Sequence, residues 1–210
     1  MDYRITAIII GYCIGLIQTA YIVGRLVAKI DIRERGTGNA GAANVFNIIG
    51  AKAGTVVLLA DASKCVLAFV ICAFLWNGGG TFLGSGSALP GLYAAVGCIL
   101  GHCFPFYLKF KGGKGFASAL GLMIALDIWM FLIAVGVGLV IVLITRYVSL
   151  TSLTITAMMP IILHFFEYSA EVIIISAFIT VLIWYLHRTN ISKLLKGEES
   201  KFVFKNLISR

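Results

Sequence analysis

The sequence predicts an all-α, polytopic integral membrane protein of about seven transmembrane helices. Three observations predict it. Hydrophobic residues make up 60% of the 210 residues and charged ones only 12%. Mean hydropathy is +1.00. Apolar runs near the roughly 20 residues that span a bilayer core as a helix recur along almost the whole chain, without the alternation of a membrane barrel. The expected spans are 5–25, 53–76, 91–108, 114–126, 128–145, 149–165 and 170–186, in a single domain covering residues 1–210. Span one has no cleavage-like exit and reads as a helix, not a removed signal peptide.

Basic residues set the orientation. Lys and Arg collect in cytoplasmic loops. Arg25, Lys29, Arg33, Arg35 and Lys52 follow span one, and the connection from Asn77 to Pro90 carries no charge. Lys109, Lys111 and Lys114 come next, then Asp127 alone, then Arg146, then Glu167 and Glu171, then a basic tail. The alternation places the N-terminus outside and the C-terminus in the cytoplasm, and it requires the short 114–126 span to keep phase. The five cysteines lie in or beside spans without metal-ligand spacing, so they read as small packing residues, and neither a metal site nor a disulfide is expected. Gly11/Gly15 and Gly97/Gly101 each form a GxxxG pair suited to close helix contact. Asp61 and Lys64 lie three apart inside span two. An intramembrane charge pair is either mutually neutralising or functional, and the sequence leaves both open.

Three polar patches fall on the predicted cytoplasmic face. The first, RERGTGNAGAANVFNIIGAKAG, holds Thr37, Gly38, Asn39, Gly41, Asn44 and Asn47. Its glycines permit close backbone approach, its amides suit an anion-binding nest, and a helix starting near Ala42 adds its N-terminus. The second, GHCFPFYLKFKGGKGFAS, holds His102, Lys111, Gly112, Gly113, Lys114, Gly115 and Ser118. Pro105 should interrupt the backbone. A Gly-Gly pair between two lysines, leading into an apolar helix, suits a phosphate, although it is not the nucleotide-binding GxxxxGK[ST] pattern. The third, HRTNISKLLKGEESKF, places His187 and Asn190 on one face of a continuing helix. Positive-inside anchoring explains the lysines, and Lys109 in particular, but not the glycines or the His-x-x-Asn pair.

In this order the patches resemble the bacterial acyl-phosphate:glycerol-3-phosphate acyltransferases, the PlsY family. The resemblance covers nearly the whole chain, including DASK at 61–64 and RYVSLTSL at 146–153. It implies a multi-pass bacterial inner-membrane enzyme with a cytoplasmic active site. That enzyme would move a fatty acyl group from acyl phosphate to the sn-1 hydroxyl of glycerol 3-phosphate, giving lysophosphatidic acid and phosphate for phospholipid biosynthesis. No cofactor is expected, and no nucleic acid; the partners are the two substrates and membrane lipids, and the expected state is a monomer. Catalytic roles fall to His187, Asn190, Lys114 and Thr37. Substrate contacts fall to Gly38, Asn39, Gly41, Asn44, Asn47, His102, Lys111, Gly112, Gly113, Gly115 and Ser118. His102 and His187 are both candidate proton acceptors, with His187 favoured by Asn190.

The first patch departs from the family pattern of Ser-Gly-Asn-Pro-Gly-Ala-Thr-Asn followed by Arg. Thr37, Ala40, Ala43 and Asn47 replace Ser, Pro, Thr and Arg. Asn47 loses a cation that would bind phosphate bidentately, and Arg33 or Arg35 are the candidates to replace it. Cys65 stands where the family favours Gly. A non-catalytic membrane protein that binds or transports a phosphorylated metabolite is the competing reading. It would use the same basic patches, but no internal repeat of the transporter kind is visible.

Overall fold

The computed structural model describes residues 2–77 and 88–202. The uncharged connection used for orientation lies mostly outside the described residues. Within them the chain is helical, without strands. In order the helices are α1 (Tyr3–Gly15), α2 (Thr19–Val27), α3 (Ala42–Ile48), α4 (Ala51–Asn77), α5 (Leu89–Cys103), α6 (Phe116–Leu126), α7 (Ile128–Thr145), α8 (Val148–Phe165), α9 (Ala170–Leu186) and α10 (Arg188–Lys196). They fall into two compact units that divide between Leu126 and Asp127.

Each expected apolar segment is helical, with two differences. Tyr3–Val27, Ala51–Trp76, Leu89–Leu108, Ile128–Thr145 and Val148–Phe165 are long and apolar enough to cross a membrane, and α9 with α10 forms a further candidate bent by 61°. The first of these is not one continuous helix: it breaks between Gly15 and Thr19. The 114–126 segment yields α6, whose 11 residues rise only about 16 Å, against a core of roughly 30 Å.

In the first unit the two GxxxG pairs turn out to be one interface. A Cβ at Gly11 or Gly15 would strike the carbonyls of Ala94 or Cys98 on α5. A Cβ at Gly97 or Gly101 would strike those of Ile8 or Tyr12 on α1. Four glycines thus let two backbones touch, the purpose of small residues where lipid leaves no hydrophobic drive between helices. Gly121 does the same for α6 against the carbonyl of Ala62 on α4. An apolar cluster of Ala20, Ile32, Ala40, Val45 and Val57 underlies the glycine-rich 36–41 loop and anchors it to α2, α3 and α4.

The break after α1 is held from outside the helix. Tyr12 Oη donates to the Phe104 carbonyl at 2.8 Å, and Tyr107 Oη to the Leu16 carbonyl at 2.6 Å. Gln18 Nε2 reaches the carbonyls of Gly15, Gly101 and His102 at 3.1–3.2 Å. Lys64 Nζ donates to the freed carbonyl of Ile17 at 2.7 Å. Backbone irregularity inside a membrane segment needs such internal partners.

In the second unit α7 packs on α8 and α8 on α9. Asp127 caps α7, accepting from Met130 N at 2.9 Å, and also accepts from Tyr168 Oη at 3.0 Å. Burial and this carboxylate together push the Tyr168 phenol up to about 12.

Candidate functional site

The first and second patches meet in the 2–126 unit. Asp31 opens a 3-10 turn, Ile32–Glu34, and carries the guanidinium of Arg33 in a two-pronged pair, Nε to Oδ1 at 3.0 Å and Nη2 to Oδ2 at 2.7 Å. Arg33 Nη1 then donates to the carbonyl of Leu108 at 3.1 Å, tying the first patch to the second. Its face also covers the Tyr21 ring. Those hydrogen bonds to Arg33 hold the Asp31 carboxyl below the usual carboxylate range. Arg33 is therefore committed to structure. Arg35, which is exposed, is left as the nearby cation of the two proposed to offset Asn47.

Asn44, 1% exposed, organises the loop. Its Nδ2 lies 2.9–3.0 Å from the carbonyls of Ile32, Arg35 and Asn39, and its Oδ1 accepts from Thr37 N at 3.0 Å. Both ends of this side chain serve the backbone of the loop. Gly36 and Gly38 turn it at φ +57° and +73°, the left-handed region that favours glycine. Thr37 and Gly38 are exposed, Asn39 is half-buried, and Gly41 is buried as the N-cap of α3. A helix does begin at Ala42, as the sequence implies. Asn47 lies exposed near the end of α3.

The second patch leaves α5 at Cys103. Pro105 opens a 3-10 turn, Phe106–Leu108, and Lys109 and Phe110 reverse the chain at φ +56° and +59°. The Gly-Gly pair then returns over the end of α5. Gly112 N donates to the Cys103 carbonyl and Gly113 N to the His102 carbonyl, both at 3.1 Å. These two amides cap α5 and are not aimed outward. What demands glycine here is contact: a Cβ at Gly112 would strike the His102 carbonyl, and one at Gly113 would strike the His102 ring and crowd the carbonyl of Ala40. Gly113 is thus the meeting point of the first patch, the second patch and His102. Lys111 is exposed and Lys114 half-buried on either side of it. Gly115 turns at φ +83° into α6, where Ser118 is fully buried and donates to the Asp61 carbonyl at 3.2 Å.

His102 is buried, at 3% exposure, and does not lie open at a surface. Its Nδ1 is 3.0 Å from Lys64 Nζ, which also sits 2.8 Å from Asp61 Oδ1. Thr19 Oγ1 donates to the same carboxylate oxygen at 3.1 Å.

The third patch belongs to the other unit. His187 sits between α9 and α10 and is 5% exposed. Its Nδ1 lies 2.8 Å from the Ile183 carbonyl. A carbonyl only accepts, so Nδ1 bears a proton, and in the neutral ring Nε2 is then the acceptor nitrogen, the tautomer a general base needs. Asn190, three residues on, donates through Nδ2 to Glu199 Oε1 at 2.7 Å. Ser149 Oγ donates to that same oxygen at 2.7 Å. Gly197, at φ +70°, turns the tail so that Phe202 N meets the Arg146 carbonyl at 2.7 Å. Sequence reasoning missed Glu199 and Ser149. The signal available was an acidic pair following a helix-stopping glycine in an otherwise basic tail.

The glycerol-3-phosphate acyltransferase family model matches residues 5–197. This chain belongs to that family. It is 41% identical over 206 residues to the glycerol-3-phosphate acyltransferase of Endomicrobium trichonymphae, covering 98% of this chain and 99% of that one. With the glycerol-3-phosphate acyltransferase of Bacillus subtilis (strain 168) it shares 37% identity over 194 residues, 92% of this chain and 95% of that one. Its structure is similar to a crystal structure of PlsY, an integral membrane glycerol 3-phosphate acyltransferase, in the glycerol 3-phosphate form. The TM-score is 0.85 at 32% identity, with 99% of each chain covered. The lysophosphatidic acid form of PlsY gives 0.81 at 31% identity, with 98% of each chain covered. The matched residues include the whole of the first and second patches and most of the third.

Proposed function

We propose that this chain transfers a fatty acyl group from acyl phosphate to the sn-1 hydroxyl of glycerol 3-phosphate at the cytoplasmic face of a bacterial inner membrane. Lysophosphatidic acid and phosphate are the products. The observation that carries this reading is the convergence at Gly113: a glycine-rich loop, a lysine-flanked Gly-Gly turn and a buried histidine share one point. The family and the forms in which PlsY was crystallised support it.

An acyl phosphate is already activated and leaves as phosphate, so a covalent enzyme intermediate is not required. The protein has to bring hydroxyl and carbonyl together and stabilise growing negative charge. Lys111 and Lys114 hold the donor phosphate. Thr37, Gly38, Asn39 and Gly41 present the exposed edge of the first loop to glycerol 3-phosphate, with Asn44 shaping that loop. His187 accepts the hydroxyl proton at Nε2, oriented by its bond to Ile183, and Asn190 supports the acceptor. The chain works as a monomer of about seven membrane segments, α6 being a short one, with the N-terminus outside and the C-terminus in the cytoplasm.

Purified protein given acyl phosphate and glycerol 3-phosphate should release phosphate and form lysophosphatidic acid without acyl-CoA, metal or nucleotide. Binding or uptake without turnover would favour the transport reading. Cysteine labels at position 83 should react from outside, and labels at 38, 112 and 200 from the cytoplasm. Asn47→Arg restores a charge-assisted phosphate contact of about 1.5–3 kcal/mol, or roughly ten- to a hundredfold in affinity. It should lower KM for glycerol 3-phosphate more than it changes kcat. An unchanged KM would make Arg35 the next residue to replace.

A further inference from the structure

The 2–126 unit buries an ion pair that no step above uses. Asp61 is 1% and Lys64 6% exposed, both on α4. The Lys64 ammonium has three protons and faces three acceptors: the Ile17 carbonyl at 2.7 Å, Asp61 Oδ1 at 2.8 Å and His102 Nδ1 at 3.0 Å. An ammonium has no acceptor capacity, so Nδ1 of His102 carries a lone pair and Nε2 the proton. Lys64 is fully engaged and has no donor left for a substrate.

Its reach through the unit is wide. It grips the broken segment between α1 and α2 through Ile17. Through Asp61 it meets Thr19 on α2, and the Asp61 carbonyl accepts from Ser118 at the start of α6. Through Nδ1 it sets the rotation of the His102 ring. The far edge of that ring lies directly under Gly113, beside the Ala40 carbonyl. The backbone on either side is tied down by Gly113 N to the His102 carbonyl and Gly112 N to the Cys103 carbonyl. The height and tilt of the Lys111–Lys114 turn are therefore set by an imidazole whose orientation and tautomer are set by Lys64.

We propose that Lys64, held by Asp61, is a positioning residue for the acyl-phosphate donor: acting through His102, it places the Lys111–Lys114 turn where the donor phosphate binds. This rests on the reading of that turn as the donor site. The pair is thus more than mutual neutralisation of two intramembrane charges, because a neutralised pair would not need to spend a proton on a neighbouring ring.

The test uses two readouts on the full chain in detergent. First, nitrogen NMR of histidine-labelled protein at neutral pH, with His102 assigned by the loss of its signals in His102→Gln, should show the proton on Nε2. Second, Lys64→Met keeps the aliphatic stem and removes the donor. Its His102 signals should shift, and KM for acyl phosphate should rise on the order of ten- to a hundredfold, lowering kcat/KM with it, as small misplacements of a binding group do. KM for glycerol 3-phosphate should stay close to that of the unsubstituted protein. A purely structural pair would leave both KM values alone, whatever its effect on the yield or Tm of folded protein. A proton on Nδ1 in the unsubstituted protein overturns the proposal, and this readout decides it even where Lys64→Met fails to accumulate. An unmoved donor KM in folded Lys64→Met also overturns it. Absence of turnover in the unsubstituted protein would sink the proposed function, whereas turnover with an unmoved donor KM in Lys64→Met sinks this inference alone.

Discussion

The two units solve the same problem, polar groups in an apolar chain, in different ways. In residues 2–126 buried and half-buried polar side chains join separate elements: Gln18 reaches α5, Lys64 reaches the α1–α2 break and His102, and Arg33 reaches Leu108. In residues 127–202 most hydroxyls turn back on their own helix. Thr151, Ser152, Thr154 and Thr156 each donate to the carbonyl four residues earlier, at 2.9–3.1 Å, the local option open to Ser and Thr in helices. Ties between helices in that unit are few and involve carbonyls, as with Thr180 to Thr156 at 2.7 Å and Trp184 to Leu153 at 3.2 Å. One carboxylate, Glu199, links Asn190 to Ser149. The first unit supports its motifs through a network; in the second an acidic clasp at Glu199 ties the His-x-x-Asn segment to α8.

This contrast can be broken at several points. The largest effect is expected from Asp61→Ala, which leaves the Lys64 ammonium buried without its counter-charge. Removing one partner of a buried pair costs about 3–5 kcal/mol, so thermal unfolding in detergent should show a clear fall in Tm. A Tm within experimental error would mean that the pair is not buried as described.

Next comes Glu199→Ala. It removes a charged acceptor from two hydrogen bonds, each worth about 1.5–3 kcal/mol when charged. Because Glu199 lies outside the helices, beyond α10, the loss should fall on Asn190 and not on the packing of α7–α9. Turnover should drop by at least about tenfold with little change in Tm. A fall in Tm as large as that of Asp61→Ala would show that the tail holds the unit together and does not merely orient the motif.

The smallest expected effect belongs to Asp31. Its carboxyl is held below the usual range by Arg33, so its folded pKa is depressed. Its contribution is complete above the ordinary aspartate pKa of about 3.9 and is lost as pH falls through the lower folded value. Asp31→Asn should flatten the acid limb of a stability-against-pH curve and leave neutral pH nearly untouched. An acid limb that keeps its slope would assign that proton uptake to other carboxylates.

Much of the candidate site could be marked out from the sequence because its signals are local. Thr37 to Asn44, Lys111 to Gly115 and His187 to Asn190 stand out as polar, glycine-rich or paired residues in an apolar chain. Their partners were not legible. Asn44 looked like a substrate contact and proves to hold three loop carbonyls. Arg33 and Arg35 looked equivalent, and only Arg33 is bound to Asp31 and Leu108.

By itself, then, the sequence determined the class of the protein. Hydropathy accumulates along the chain, so helical membrane segments and their approximate bounds follow from neighbouring residues alone. Its motifs, being contiguous, also carried the family. Tertiary structure alone decided what the glycines are for. Gly112 and Gly113 are small because the His102 carbonyl and ring lie against them, and Gly11 and Gly97 because two helices touch there. It also decided that a chain carrying +8 net charge spends Lys64 and Arg33 inside its own fold. Close approach and charge pairing join residues far apart in the chain, and the spacing of residues in a sequence does not encode the distance between them.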